Sequence, residues 1–268
     1  MNSIQISIEA NGEQQEILIS QLSDLGAEGF EQTDKYLMGY FNENFFKAYE
    51  INELLKNYSF TSHILEDKNW NEEWERNFQP VIVNKFCAIR AEFHAPVTDV
   101  EYDIIITPKM SFGTGHHATT YMMIEQMKEI DFTNKTVFDF GTGTGILSIL
   151  SEKLGASKIE AIDVDDWSIL NARENIEKNH CSKISVNLSS EIPAEKFDMI
   201  LANINRNIIL SYLPLVNKSL KDNSYLLLSG LLNSDEKDIV NAYSNEKLKM
   251  LKQTERNGWI SLLFIKDV

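Results

Sequence analysis

The chain has 268 residues, 43% hydrophobic and 24% charged, enough for a full α/β core and a small second domain. No apolar run reaches the roughly 20 residues of a membrane span, and the opening MNSIQISIEA lacks the basic flank and apolar stretch of a secretory leader, so a cytoplasmic protein without membrane contact is expected. A formal charge of −15 disfavours direct nucleic-acid binding, which needs basic surface, and favours a basic partner. The two cysteines, Cys87 and Cys181, lie far apart without metal-like spacing and read as free thiols.

The first 66 residues follow the order βαββαβ. Ile4, Ile6 and Ile8 alternate with polar residues, the period of a strand. A helix is predicted over 13–25, with Ile17, Leu18, Leu22 and Leu25 on one face and Gly26 and Gly29 closing it. Short strands follow at 30–33 and 36–41, then a helix over 44–57 with Phe45, Ala48, Ile51 and Leu55 on a stripe. A last strand takes 59–65. This order predicts a small α+β, ferredoxin-like domain over residues 1–66, and it is acidic, with 11 Asp and Glu against three Lys. Residues 67–79 predict a helical linker, because Trp70, Trp74 and Phe78 share one helix face and Pro80 stops the pattern.

Residues 80–268 read as the second domain. After strand-like stretches at 81–93 and 102–106, strands at 136–140, 158–163, 183–187, 197–203 and 224–229 alternate with helices at 146–154, 167–179 and 208–220. A helix over 235–243 and strands at 248–255 and 259–265 follow, the last two joined by Arg256-Asn257-Gly258, a hairpin signal. Such alternation predicts an α/β, doubly wound, mostly parallel sheet.

Four stretches carry chemistry. In Val137-Phe138-Asp139-Phe140-Gly141-Thr142-Gly143-Thr144-Gly145-Ile146 an apolar strand runs into a glycine cluster and then a helix, where backbone can approach a ligand closely. The dinucleotide fingerprint has glycine at the sixth place of this turn, and Ile146 stands there instead. The pattern suits an adenosyl-sulfonium ligand, which brings no pyrophosphate. Asp163 ends the next strand, 22 residues after Gly141, where a carboxylate can accept hydrogen bonds from both ribose hydroxyls; Asp165 or Asp166 fits a helix cap better. Asn203 ends the apolar strand Ile200-Leu201-Ala202-Asn203 and faces the crevice at the carboxyl ends of the strands. Ser111-Phe112-Gly113-Thr114-Gly115-His116-His117-Ala118-Thr119-Thr120 leads into a helix, and Thr119 and Thr120 can offer hydroxyls to an amino-acid-like ligand. Adjacent His116 and His117 cannot easily share one ion, and no metal site is expected.

That loop, with Trp74-Glu75-Arg76-Asn77-Phe78-Gln79-Pro80, the glycine turn, Asp163 and Asn203, resembles the bacterial ribosomal protein L11 methyltransferases of the PrmA type, over nearly the whole chain. The resemblance implies a seven-stranded Rossmann-like methyltransferase sheet whose terminal hairpin adds an antiparallel strand, and S-adenosylmethionine as cofactor. It implies cofactor contacts at Thr120, Gly141, Asp163 and Asn203, with Gly143 in the turn and Phe112, Gly113 and Thr114 covering the methionine portion. The implied substrate is a basic ribosomal protein methylated on its N-terminal α-amine and lysine ε-amines, with Asn203 orienting the amine and the acidic front domain recruiting the protein. No dedicated general base stands out. Two departures are visible: Thr107-Pro108-Lys109 replaces the usual Asp-Pro-Gly, and Asp222-Asn223 replaces the usual glycines before the fifth core strand. Rival readings are a methyltransferase of another protein, small-molecule or nucleic-acid substrate, and a dehydrogenase-like nucleotide module.

Overall fold

The computed structural model describes residues 3–65, 78–108, 115–244 and 247–267, and its contacts divide the chain into two units, Met1–Phe78 and Gln79–Val268. In the first, β1 (Ser3–Glu9), α1 (Gly12–Asp24), β2 (Ala27–Gln32), β3 (Tyr36–Asn42), α2 (Ala48–Leu55) and β4 (Phe60–Leu65) follow in chain order. The strands lie as β2-β3-β1-β4, all antiparallel, which is the ferredoxin-like arrangement. Asn11 starts α1 with a reciprocal cap: its side chain accepts from Gln14 N, and the Gln14 side chain accepts from Asn11 N.

Two helix faces differ from expectation. The buried stripe of α1 is Gln15, Leu18 and Leu22, and Ile17 is exposed. Gln15 can be buried because its amide donates to the carbonyls of Ala10 (2.8 Å) and Thr33 (2.9 Å). In α2, Ile51 and Leu55 are buried as expected, but the helix starts only at Ala48. Residues Glu43–Phe45 form a 3₁₀ turn capped by Asn42, which leaves Phe45 77% exposed. Phe46 packs edge-on against Phe41 instead, at 5.4 Å. Of the expected linker helix, 67–77 lie outside the described residues.

The second unit opens with β5 (Val81–Val83), β6 (Cys87–Ala91) and β7 (Tyr102–Ile106), a sheet in that order. The single strand expected over 81–93 is broken by a turn in which Asn84 takes φ 46°. Then come α3 (Ala118–Met127), β8 (Thr136–Phe140), α4 (Ile146–Lys153), β9 (Lys158–Asp163), α5 (Asp166–Lys178), β10 (Ile184–Leu188) and β11 (Phe197–Asn203). The chain continues through α6 (Arg206–Lys218), β12 (Leu220–Leu232), α7 (Glu236–Ser244), β13 (Leu248–Arg256) and β14 (Trp259–Lys266). Seven strands lie in the order β10-β9-β8-β11-β12-β14-β13. The first five run parallel; β14 is antiparallel to both neighbours. The turn at Asn257 (φ 53°) and Gly258 (φ 79°) is the left-handed pair that closes a tight hairpin.

Strand alternation builds the two faces. Phe138, Phe140, Ile200, Ala202, Leu226 and Leu228 point into one core with Ile209 and Leu213 of α6 and Tyr243 of α7; each fully buried phenylalanine, isoleucine or leucine side chain contributes about 1.5–3 kcal/mol. The intervening residues face α3, α4 and α5, as Asp139 shows by bonding Ser148 of α4. One strip of that second face is polar. β7 ends its small sheet, and three buried asparagines of α5 pair with its free edge: Asn179 with both Ile105 N and O, Asn175 with Thr107 N, Asn171 with Thr107 O. Asn175 also donates to Thr144 O at 2.8 Å, tying this edge to the glycine turn. The replacement of glycine by Asn223 is accommodated directly, since Asn223 takes φ 58°, which asparagine tolerates better than most side chains.

Candidate active site

The chain proceeds from β8 outward through β9 to β10, then crosses to β11 on the other side of β8. Ligands bind at such a switch point, beyond the carboxyl ends of the strands. A cavity of about 460 Å³ lies there, in the size range of small-molecule and cofactor sites. Gly141, Gly143, Asp163, Thr120 and Asn203 all line it, although they come from four separate stretches of the sequence. Phe112, Gly113 and Thr114 lie outside the described residues.

The glycine turn is shaped by its neighbours. The N–H groups of Gly141 and Thr142 both donate to Ile162 O, at 2.9 and 3.0 Å, which pins the turn to the end of β9. Gly141 has φ 77°, and a Cβ there would lie 2.4 Å from Cγ2 of Ile204. Beneath the turn, Asp139 is 1% exposed; its Oδ2 accepts from the hydroxyls of Thr142 (2.7 Å) and Ser148 (2.6 Å). Burial pushes the Asp139 carboxyl up to about 6, against the pull of the two hydroxyl donors and with help from the nearby Asp163 charge.

Asp163 is half-buried. Its Oδ2 accepts from Gly143 N at 2.9 Å and its Oδ1 from Asp165 N at 3.1 Å. Each oxygen keeps a further lone pair for a ligand hydroxyl. Asp165 caps α5 by accepting from Ser168 N and Oγ, which holds its carboxyl below the usual range. Asn203 donates from Nδ2 to Thr120 Oγ1 at 3.2 Å. Its Oδ1 is buried with no partner among the described residues, an acceptor left for a ligand. Thr119 does not line the cavity: its hydroxyl lies 2.8 Å from Nδ1 of His117, the residue that caps α3. His117 lines the cavity and meets Trp259 edge-on at 4.7 Å. His116 Nε2 donates to Gln79 O.

Sequence reasoning missed several lining residues, among them Ser168, Ser189, Tyr212, Gly230 and Trp259. Gly230 carried a signal, since glycine inside a strand marks a bulge or a close backbone approach. The β12–β14 register shifts there, φ is 82°, and a Cβ would lie 2.2 Å from the Ile204 carbonyl oxygen. Ile204 is thus wedged between Gly141 and Gly230, and this wedge sets the backbone that carries Asn203.

The description "Ribosomal protein L11 methyltransferase (PrmA)" matches residues 40–267. Among curated relatives, the chain is 36% identical to the ribosomal protein L11 methyltransferase of Phocaeicola vulgatus, over 93% of each chain. It is 38% identical to that of Chlorobaculum parvum, over 98% of this chain and 96% of the relative. Among solved structures it is similar to the ribosomal protein L11 methylase of Lactobacillus delbrueckii subsp. bulgaricus, with a TM-score of 0.66 and 28% identity, covering 71% of this chain and 100% of that one.

Proposed function

The chain belongs to the ribosomal protein L11 methyltransferase family, and from that premise we propose that it is a cytoplasmic enzyme transferring methyl groups from S-adenosylmethionine to the N-terminal α-amine and lysine ε-amines of ribosomal protein L11. The observation that carries the reading is the place of Asn203: it ends β11, lines the cavity beside the glycine turn, and keeps its Oδ1 without a partner among the described residues.

The donor set fits the cofactor. Asp163 would take the ribose hydroxyls, Gly141 and Gly143 would let its body lie against the backbone, and Thr120 with Asn203 would meet the methionine end. When bound, the cofactor supplies an activated sulfonium methyl, so the protein's own task is alignment and desolvation. Asn203, held by Thr120, accepts a hydrogen bond from the incoming amine and directs its lone pair. The amine must be neutral. A lysine of pKa about 10.4 is neutral roughly once in 2,500 at pH 7, a cost of about 4.6 kcal/mol, against about 1.4 kcal/mol for an α-amine near 8. Enclosure in the cavity lowers an amine's pKa, and the proton leaves through water. The acidic first domain, residues 1–66, would recruit the basic substrate through the charge it carries.

The test is methyl transfer from labelled S-adenosylmethionine to purified L11, with the modified amines located by mass spectrometry. Asn203→Ala is expected to lower kcat at least tenfold with a smaller change in cofactor Kd. Full turnover with only weakened cofactor binding would remove Asn203 from the amine's path, and label appearing only on RNA or a small molecule would replace the substrate.

A further inference from the structure

Four large apolar side chains stand in solvent beside the mouth of the cavity. Val164, Trp167, Leu170 and Leu188 are 71%, 73%, 56% and 51% exposed. The sheet places them together. Leu188 ends β10 in register with Asp163 at the end of β9, and Val164, the next residue, lines the cavity. Trp167 and Leu170 are three residues apart on α5; Arg173, three further on, donates to Val186 O of β10 at 2.9 Å. All three therefore lie toward β10, with Trp167 nearest the cavity. Among the described residues β10 is the edge strand of the sheet. A single exposed apolar residue needs no explanation, but a group of four at a cavity rim marks an interaction site, and tryptophan is among the residues most enriched at interface centres.

The charge around the patch selects its occupant. Residues 159–172 and 184–195 contain no Lys or Arg. Asp165, Asp166 and Glu191 are exposed around the patch. A second copy of a chain carrying −15 would bring like charge to this border, which opposes association. A basic protein with an apolar side chain to insert matches both features.

We propose that Val164, Trp167, Leu170 and Leu188, with their acidic border, form a docking surface for the basic protein substrate, holding it against the mouth of the cavity. The proposal rests on the assignment of protein methylation above. Its test uses the full chain with Trp167→Ala and Leu188→Ser combined, both at exposed positions. Methylation is followed with intact L11 and with a short synthetic peptide of its amino terminus, and cofactor Kd is measured by calorimetry. KM for the intact protein should rise at least tenfold, while kcat at saturation, kcat/KM for the peptide and cofactor Kd stay within twofold. Asp166→Lys should raise the same KM alone. An unchanged KM for intact protein overturns the proposal. So does a parallel loss of cofactor affinity, which would make the patch a wall of the cofactor site, and so does a wild-type dimer that the double variant dissociates in the ultracentrifuge. If the wild-type chain methylates no ribosomal protein, the assignment itself falls, and that result appears before any substitution is made.

Discussion

Asp139 sits under the glycine turn with one carboxylate oxygen shared by two hydroxyls and the other, Oδ1, buried without a partner among the described residues. Its pKa is raised from an ordinary 3.8 to about 6, chiefly by burial. A raised folded-state pKa means that the protonated form is the one the fold favours. The contribution of this group is therefore complete below about pH 3.8 and is lost as pH rises through about 6, by about 3 kcal/mol in all. Asp139→Asn removes the titration while keeping the shape. Urea unfolding at several pH values should show the variant gaining on the wild-type chain by about that amount between pH 4 and 7; a constant difference across the range would mean that Asp139 does not titrate there. This residue was visible in the sequence only as an acid ahead of a glycine cluster. That it faces α4, away from the cavity, follows from strand alternation in β8. Asn203 and Thr120 show the same division: each stood out in the sequence as a candidate, but their contact joins positions 83 apart in the chain.

Along α5 a set of polar residues does work that helical periodicity alone does not disclose. Asn171, Asn175 and Asn179 recur every four positions within the helix predicted over 167–179. In the fold they are buried and stand in for a missing strand beside β7. Asn175→Ala would remove the hydrogen bonds to Thr107 N and Thr144 O. Losing a buried hydrogen bond costs about 1–3 kcal/mol, so a loss of about 3 kcal/mol is expected in chemical unfolding, with weaker cofactor binding because the glycine turn loses its tie. A change below 0.5 kcal/mol would show that water replaces the amide without cost. Strands β8, β9 and β11, by contrast, were legible to the residue. Their apolar residues are buried and the runs are bounded by glycine, aspartate or asparagine, so local sequence carries their ends. Ile17 and Phe45 were misplaced because an apolar residue near a helix does not say which stripe the tertiary core will cover; Gln15 and Phe46 took those places.

The two units differ in what each would contribute. The acidic charge of the first, 11 Asp and Glu against three Lys over residues 1–66, supports its proposed role in recruiting a basic protein, while the described residues that line the cavity all belong to the second unit. A truncated chain of residues 67–268 should therefore bind S-adenosylmethionine with near-normal Kd by calorimetry and yet fail to methylate L11 at low concentration. Activity on the full chain's substrate should also fall with added salt, since exposed charges farther apart than about 8–10 Å are screened at 0.1–0.15 M. Undiminished methylation by the truncated chain would remove the recruiting role.

What the sequence determined by itself is what short-range chemistry encodes: the order of strands and helices, the turn that Asn257-Gly258 closes, and the residue types placed at strand ends. The family could be recognised from the same local motifs. Only the tertiary structure decided which of these residues meet, because contact across the sheet depends on strand order and on which way each side chain alternates. It brought Thr120 to Asn203, wedged Ile204 between Gly141 and Gly230, buried the asparagines of α5 and left Trp167 in solvent beside the cavity. None of those outcomes follows from neighbours along the chain, since each is set by packing between elements far apart in it.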